Sequence, residues 1–307
     1  MNGKFGRTFG FFFHINMSKV SPLCAEAVFP EFEFEKELQH LPGHSCVTRG
    51  KFGKTSVIVK SGSDETDSYD ESIAYSIIMS HPHENLLEPL GMGSNGKWFH
   101  IALPDMGMDL LEFIWYNRSY TASAKGCRDI FSKIVKGLHH LHKLGMVHTD
   151  IKPENVFVDL QGNVKIGDFG SAHFLEEGVV HADYEVTTLW YRPLDIILQR
   201  GRPFTEALDI WSLGCLLACM WLGEPLFQQN TEPGMVKAIT GKLGGLSEYE
   251  KEELLPSKYS AFCRKDRRPT LTLGDEGGFW TCLCSNMLYY TEADRPTTSD
   301  LLEILGQ

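Results

Sequence analysis

The chain has 307 residues, long enough for one large domain or two smaller ones around a sizeable buried core. Its 42% hydrophobic and 22% charged content excludes a disordered or fibrous chain. A net charge of −11 excludes a general nucleic-acid-binding surface, which needs clustered Lys and Arg against phosphate.

Residues 1–30 show no clear period and read as an N-terminal extension of unknown role. Lys4 and Arg7 precede an apolar run, but His14 interrupts it and no small-residue cleavage site follows, so a cleaved signal is not expected. No stretch approaches the ~18 apolar residues of a membrane span, and no membrane partner is expected. Eight cysteines lie scattered through apolar stretches. The close pairs Cys215/Cys219 and Cys282/Cys284 lack matching His or Cys pairs at zinc-site spacing, so all eight are read as reduced thiols of an intracellular protein of cytoplasm or nucleus.

From Phe32 the pattern changes. Short β-rich runs at 45–48, 55–60 and 98–103, separated by Gly, Ser and Asp, predict a small antiparallel sheet. One helix, predicted over 72–80, interrupts it behind the acids Asp64, Glu65, Asp67, Asp70 and Glu71. After the polar stretch 104–109 the period becomes helical, over 110–117, 124–144, 207–221, 234–242, 278–290 and 299–305. A β-rich unit over about 31–104 therefore precedes a mainly helical one over about 105–307, an α+β chain.

The amphipathic segment ending at Lys143 and Gly145 has the usual cation-then-glycine stop. The stretch that follows, MVHTDIKPENVFVD, is too polar and proline-broken to extend it, and NVKI then runs extended into GDFG. Asp150, Lys152, Asn155 and Asp168 thus fall on two loops flanking a pair of short strands. Such a set suits a reaction in which a hydroxyl loses a proton beside Mg²⁺. Asp168 and Asn155 offer the hard oxygens Mg²⁺ prefers. Asp150 is left to accept the proton, and Lys152 to steady developing phosphate charge.

HTDIKPEN followed by DFG resembles the catalytic and metal loops of eukaryotic Ser/Thr protein kinases. TTLWYRPLDIIL resembles the end of an activation segment as found in cyclin-dependent kinases and their relatives, with Asp195 where Ala-Pro-Glu has its glutamate. ALDIWSLGCLLACMWLGEPLF resembles the buried helix that follows, whose Asp209 is expected to cap the catalytic loop. MLYYTEADRPTTSDLL resembles the last helices, with Arg295 as the expected ion-pair partner of Asp195. The resemblance covers nearly all of the chain after residue 38. It implies the bilobal protein kinase fold, ATP and Mg²⁺ as ligands, and protein substrates.

In the small lobe the family pattern needs a glycine loop, a strand lysine and a helix glutamate. Taking Gly50–Gly53 as the loop leaves too few residues before Lys60. In the preferred register LPGHSCV is the loop, with Gly43, Ser45 and Val47 near phosphate and adenine, and 50–53 forms a hairpin turn. Lys60 then contacts the α- and β-phosphates, partnered by Glu71 or by Glu65. Leu103 matches the gatekeeper position, with Pro104 and Met106 in the adenine-binding connection and Asp109 either at ribose or capping a helix. The VIVKSG strand, the short linker after it and Leu103-Pro104 resemble kinases of herpesviruses and other large DNA viruses, which implies a host-cell setting for a viral chain.

Within the activation segment, Asp183 stands at the position of the regulatory phosphothreonine. The arginine that grips that phosphate in the family is Thr149 here. The two departures agree, and activity without activation-segment phosphorylation is expected. Tyr184, Thr187 and Thr188 remain candidate autophosphorylation sites, with a hydrogen bond near Asp150 the preferred role for Thr188. Val186, Thr187 and Arg192 match the surface that accepts proline after the target residue, which implies proline-directed transfer. His139, His140 and His142 sit on one helix and are expected to pack rather than bind metal. The degenerate glycine loop and Thr149 also admit a pseudokinase scaffold, but a scaffold has no chemical need for Lys60, Asp150, Lys152, Asn155 and Asp168 together.

Overall fold

A computed structural model of the chain describes residues 29–41, 45–63, 68–94, 98–175, 188–199, 205–255, 257–263 and 271–307. Two compact units emerge. One comprises the described residues up to Pro82 with Leu87–Asp105, the other His83–Leu86 with Met106–Gln307. Asp105 is tied to the first unit. Its backbone N–H donates to Ser56 O at 3.2 Å, and its carboxylate accepts from Ser56 Oγ at 2.8 Å and lies 2.9 Å from Arg49 Nε.

The first unit is a five-stranded antiparallel sheet and one helix. The strands are β1 (Phe32–Leu41), β2 (Ser45–Phe52), β3 (Thr55–Ser63), β4 (Gly91–Ser94) and β5 (Trp98–Pro104), in the order β1-β2-β3-β5-β4. Period-two burial builds it: Val57 and Val59 of β3 are fully buried and join Phe32 and Ala102 in one cluster, with Phe29 and Phe52 packed against it. Gly50 belongs to β2, not to a turn; a Cβ there would collide with the Glu33 carbonyl and the Phe32 ring. The turn is Gly53 and Lys54, between the paired residues Phe52 and Thr55, and Gly53 has φ +59°.

Helix α1 (Ser68–Ser80) starts four residues before its expected position, so Glu71 lies inside it rather than at its opening. It buries Ala74, Tyr75 and Ile78 completely and packs on β3 and β5.

The second unit is mainly helical. It opens with β6 (Met108–Asp109), α2 (Leu110–Tyr116), α3 (Arg118–Thr121) and α4 (Ala124–Lys143). The strands β7 (Met146–Val147), β8 (Val156–Val158), β9 (Val164–Ile166) and β10 (His173–Phe174) come next. Then follow α5 (Leu194–Leu198), α6 (Ala207–Leu222), α7 (Glu232–Leu243), α8 (Glu248–Leu254), α9 (Phe279–Met287) and α10 (Thr298–Leu305). Ser123 caps α4, which buries Ile130, Phe131, Ile134, Val135, Leu138 and Leu141 along one stripe against β9 and α10. The stripe on α6 widens to the whole circumference, as suits a central helix, and Gly223 ends it in the left-handed conformation. Short helices α3, α5 and α8 had no readable period. Among the described residues no helix is long and apolar enough to cross a membrane.

Candidate active site

Strands β8 and β9 pair antiparallel, Val156 opposite Ile166, which brings the ends of the two polar loops together. Asp150 is the hub. Its Oδ1 accepts from Thr188 N at 3.0 Å and Thr188 Oγ1 at 2.7 Å. Its Oδ2 accepts from Lys152 Nζ at 2.6 Å and Asn155 Nδ2 at 3.1 Å. Lys152 Nζ also donates to Thr188 Oγ1 at 2.9 Å.

Burial of Asp150 works against its charge, but the Lys152 hydrogen bond, the Lys152 charge and the two Thr188 bonds together outweigh it and lower its pKa below 3.8. A carboxyl depressed in the folded chain stabilises it fully above the unfolded value, and that contribution disappears as pH falls through the lower folded value. Equilibrium unfolding of wild type and Asp150→Asn across pH should therefore show a stability gap that is constant above pH 3.8 and closes only below it. A gap that closes near neutrality would contradict this.

The Asn155 amide points one way for a chemical reason: Nδ2 donates to the Asp150 carbonyl at 2.8 Å, leaving Oδ1 as its acceptor end. Gly167 N donates to Asn155 O at 2.9 Å, so the residue before Asp168 is tied to Asn155. Asp168 itself has φ +62°, a left-handed backbone uncommon outside glycine. An amide oxygen and a carboxylate on adjoining backbone form a donor set that fits Mg²⁺.

The other residues singled out from the sequence fall as follows. Lys60 Nζ donates to Glu71 Oε1 at 2.8 Å, with the Glu71 side chain 9% and the Lys60 side chain 25% exposed. Glu65 and Gly43 lie outside the described residues. Ser45 begins β2, and Val47 sits opposite Lys60 in the β2–β3 ladder. Leu103 is buried opposite Ile58, Pro104 ends β5 opposite Val57, and Met106 is buried in the second unit. Asp109 caps α2, its Oδ1 accepting from Glu112 N at 2.8 Å.

Asp209 receives His148 N and Thr149 N, both at 2.8 Å, and His142 Nε2 lies 2.9 Å from it. His139 reaches Thr298 Oγ1 at 3.0 Å, and His140 stacks on His83 with ring centroids 4.8 Å apart. Arg295 Nη2 donates to Asp195 Oδ1 at 2.8 Å. Arg192 is buried, its Nη1 3.3 Å from Glu232 Oε1, which turns its charge inward. Asp183, Tyr184, Val186 and Thr187 lie outside the described residues.

Two contributors escaped the sequence. His148 Nε2 lies 3.0 Å from Gly167 O, and Asp150 N donates to His148 Nδ1 at 3.3 Å. Only the tautomer carrying its hydrogen on Nε2 satisfies both contacts, so the ring couples Asp150 to the residue before Asp168. Thr149, with no assigned contact, donates from Oγ1 to Ser171 O at 2.6 Å. Nothing in the spacing signals either bond, although both residues lie within two positions of Asp150.

With this geometry in hand, residues 51–304 match the model of the protein kinase domain. The chain belongs to the protein kinase family. It is similar to a probable cell division protein kinase of Encephalitozoon cuniculi, 30% identical over 55% of this chain and 62% of that protein. A cell division control protein 2 homolog of Trypanosoma brucei brucei is 33% identical over 57% and 58%. The extracellular signal-regulated kinase 7 of Drosophila melanogaster is 28% identical over 68% of this chain and 24% of that protein. The chain thus spans about three fifths of the length of the first two of these relatives.

Proposed function

We propose that the protein is a Ser/Thr protein kinase that transfers the γ-phosphate of ATP to protein substrates inside the cell. The observation that carries this reading is the Asp150 carboxylate, ionised and held between Lys152, Asn155 and Thr188. Asp150 orients the substrate hydroxyl and accepts its proton. Lys152, shared between Asp150 and Thr188, stands ready to follow charge onto the transferred phosphoryl group. Asp168 and Asn155 would hold Mg²⁺, which would supply neutralisation of the phosphate charge. Lys60, fixed by Glu71, holds the α- and β-phosphates.

The relatives are named as cell-division and signal-regulated kinases, and with the match of Val186, Thr187 and Arg192 this supports proline-directed transfer. Thr149 and Asp183 support activity without activation-segment phosphorylation. Labelled γ-phosphate transfer to Ser-Pro and Ser-Ala peptides checks both points. A kcat/KM about tenfold higher for Ser-Pro is expected, unchanged after phosphatase treatment of the kinase. Equal rates would remove proline direction, and loss of activity after phosphatase would remove independence from phosphorylation.

A further inference from the structure

Among the described residues two non-glycines have positive φ, Thr149 at 65° and Asp168 at 62°. For a β-branched residue this backbone is unfavourable, so something must hold Thr149 in place. Its N–H donates to Asp209 Oδ1 at 2.8 Å, and its hydroxyl donates to Ser171 O at 2.6 Å; Thr149 is fully buried and Ser171 partly so. Ser171 closes the short turn Phe169–Ser171 that Asp168 opens.

Past this bond the same two segments stay paired. His173 and Phe174 of β10 lie opposite Val147 and Met146 of β7, and Leu175 N donates to Gly145 O at 2.8 Å. His173 Nδ1 also lies 2.7 Å from Ser171 O. The Thr149 hydroxyl is therefore the rung nearest to Asp168 among those that follow it in the chain, while His148 holds Gly167 on the other side.

We propose that the Thr149 hydroxyl is a positioning group for Asp168. By holding Ser171 it keeps the Phe169–Ser171 turn, and with it the left-handed backbone of Asp168, in place. A neutral hydroxyl-to-carbonyl bond thus sets the start of the activation segment. In its consequence for catalysis the inference rests on the kinase reading above. The bond itself is tested without nucleotide.

The informative pair is Thr149→Ser and Thr149→Ala, which differ by one oxygen and both remove the branch that burdens the positive φ. Hydrogen exchange of the nucleotide-free protein should show the His173 and Leu175 amides, the two that this side of the ladder binds, exchanging about tenfold faster in Thr149→Ala, with Thr149→Ser close to wild type. The Mg²⁺ concentration for half-maximal phosphate transfer should rise in Thr149→Ala and return in Thr149→Ser. Wild-type exchange in both variants, or equal acceleration in both, would overturn the proposal. Absence of phosphate transfer by the wild type would instead remove the kinase reading while leaving the exchange comparison decisive for the bond.

Discussion

Asp150→Asn is expected to lower the rate of phosphate transfer by about 10³-fold while leaving ATP binding nearly unchanged. The size follows from the carboxylate's surroundings. All four contacts to its oxygens come from donors: Thr188 N, Thr188 Oγ1, Lys152 Nζ and Asn155 Nδ2. An amide has only one acceptor oxygen, so its NH₂ must face either the Thr188 pair or the Lys152 and Asn155 pair, donor against donor. The variant thus loses the proton acceptor and disturbs Lys152 or Thr188 as well. Nucleotide affinity should survive because Lys60 and Glu71 are untouched. Single-turnover transfer of labelled γ-phosphate, with a thermal shift by MgATP as the binding measurement, separates the two effects. Equal transfer by both proteins, or none by the wild type under any condition, would point to a binding scaffold.

Arg295→Ala should destabilise the second unit by about 3 to 5 kcal/mol, the range for breaking a buried ion pair from one side. The corresponding fall in Tm is on the order of 10 °C. Both side chains are almost completely buried, Arg295 at 1% and Asp195 at 2% exposure. The guanidinium also donates from Nε to Tyr289 O at 2.8 Å, from Nη1 to Ala207 O at 3.0 Å and from Nη2 to Tyr290 O at 3.1 Å. It sits over the Trp211 ring, 5.2 Å from the centroid. Removing it strands the Asp195 charge and three carbonyls at once. Removing Asp195 as well should recover part of the loss, since only the carbonyls then lack their donor. Calorimetric melting of the two single variants and the double variant checks this; a double variant no more stable than Arg295→Ala would refute the stranded-charge account.

The residues proposed for the catalytic centre were legible because they are close in sequence. Asp150, Lys152 and Asn155 share one loop whose chemistry can be read from residue types, and Asp168 follows after a single strand pair. The order of a β-rich and a helical unit was legible for a similar reason: periods of two and 3.6 are local properties of the chain. Elements without a long period were not. Strands β1 and β4 pair with the strands that directly follow them, β2 and β5, yet were not read from the sequence, and neither were the first turn of α1 and the short helices α3, α5 and α8.

The roles of single side chains divide the same way. Lys60 was marked by its strand, but Glu71 at 2.8 Å could be fixed only once α1 was seen to begin at Ser68. Asp109 was left open between ribose and a helix cap, and the backbone N–H of Glu112 shows where its Oδ1 goes. Sequence alone determined which chemical groups the chain carries and roughly which loops hold them, since both follow from covalent order and local pattern. Tertiary structure alone decided that His148 couples Asp150 to Gly167 and that Thr149 holds Ser171. Those bonds join separate loops, and hydrogen-bond direction depends on positions in space that no local pattern encodes.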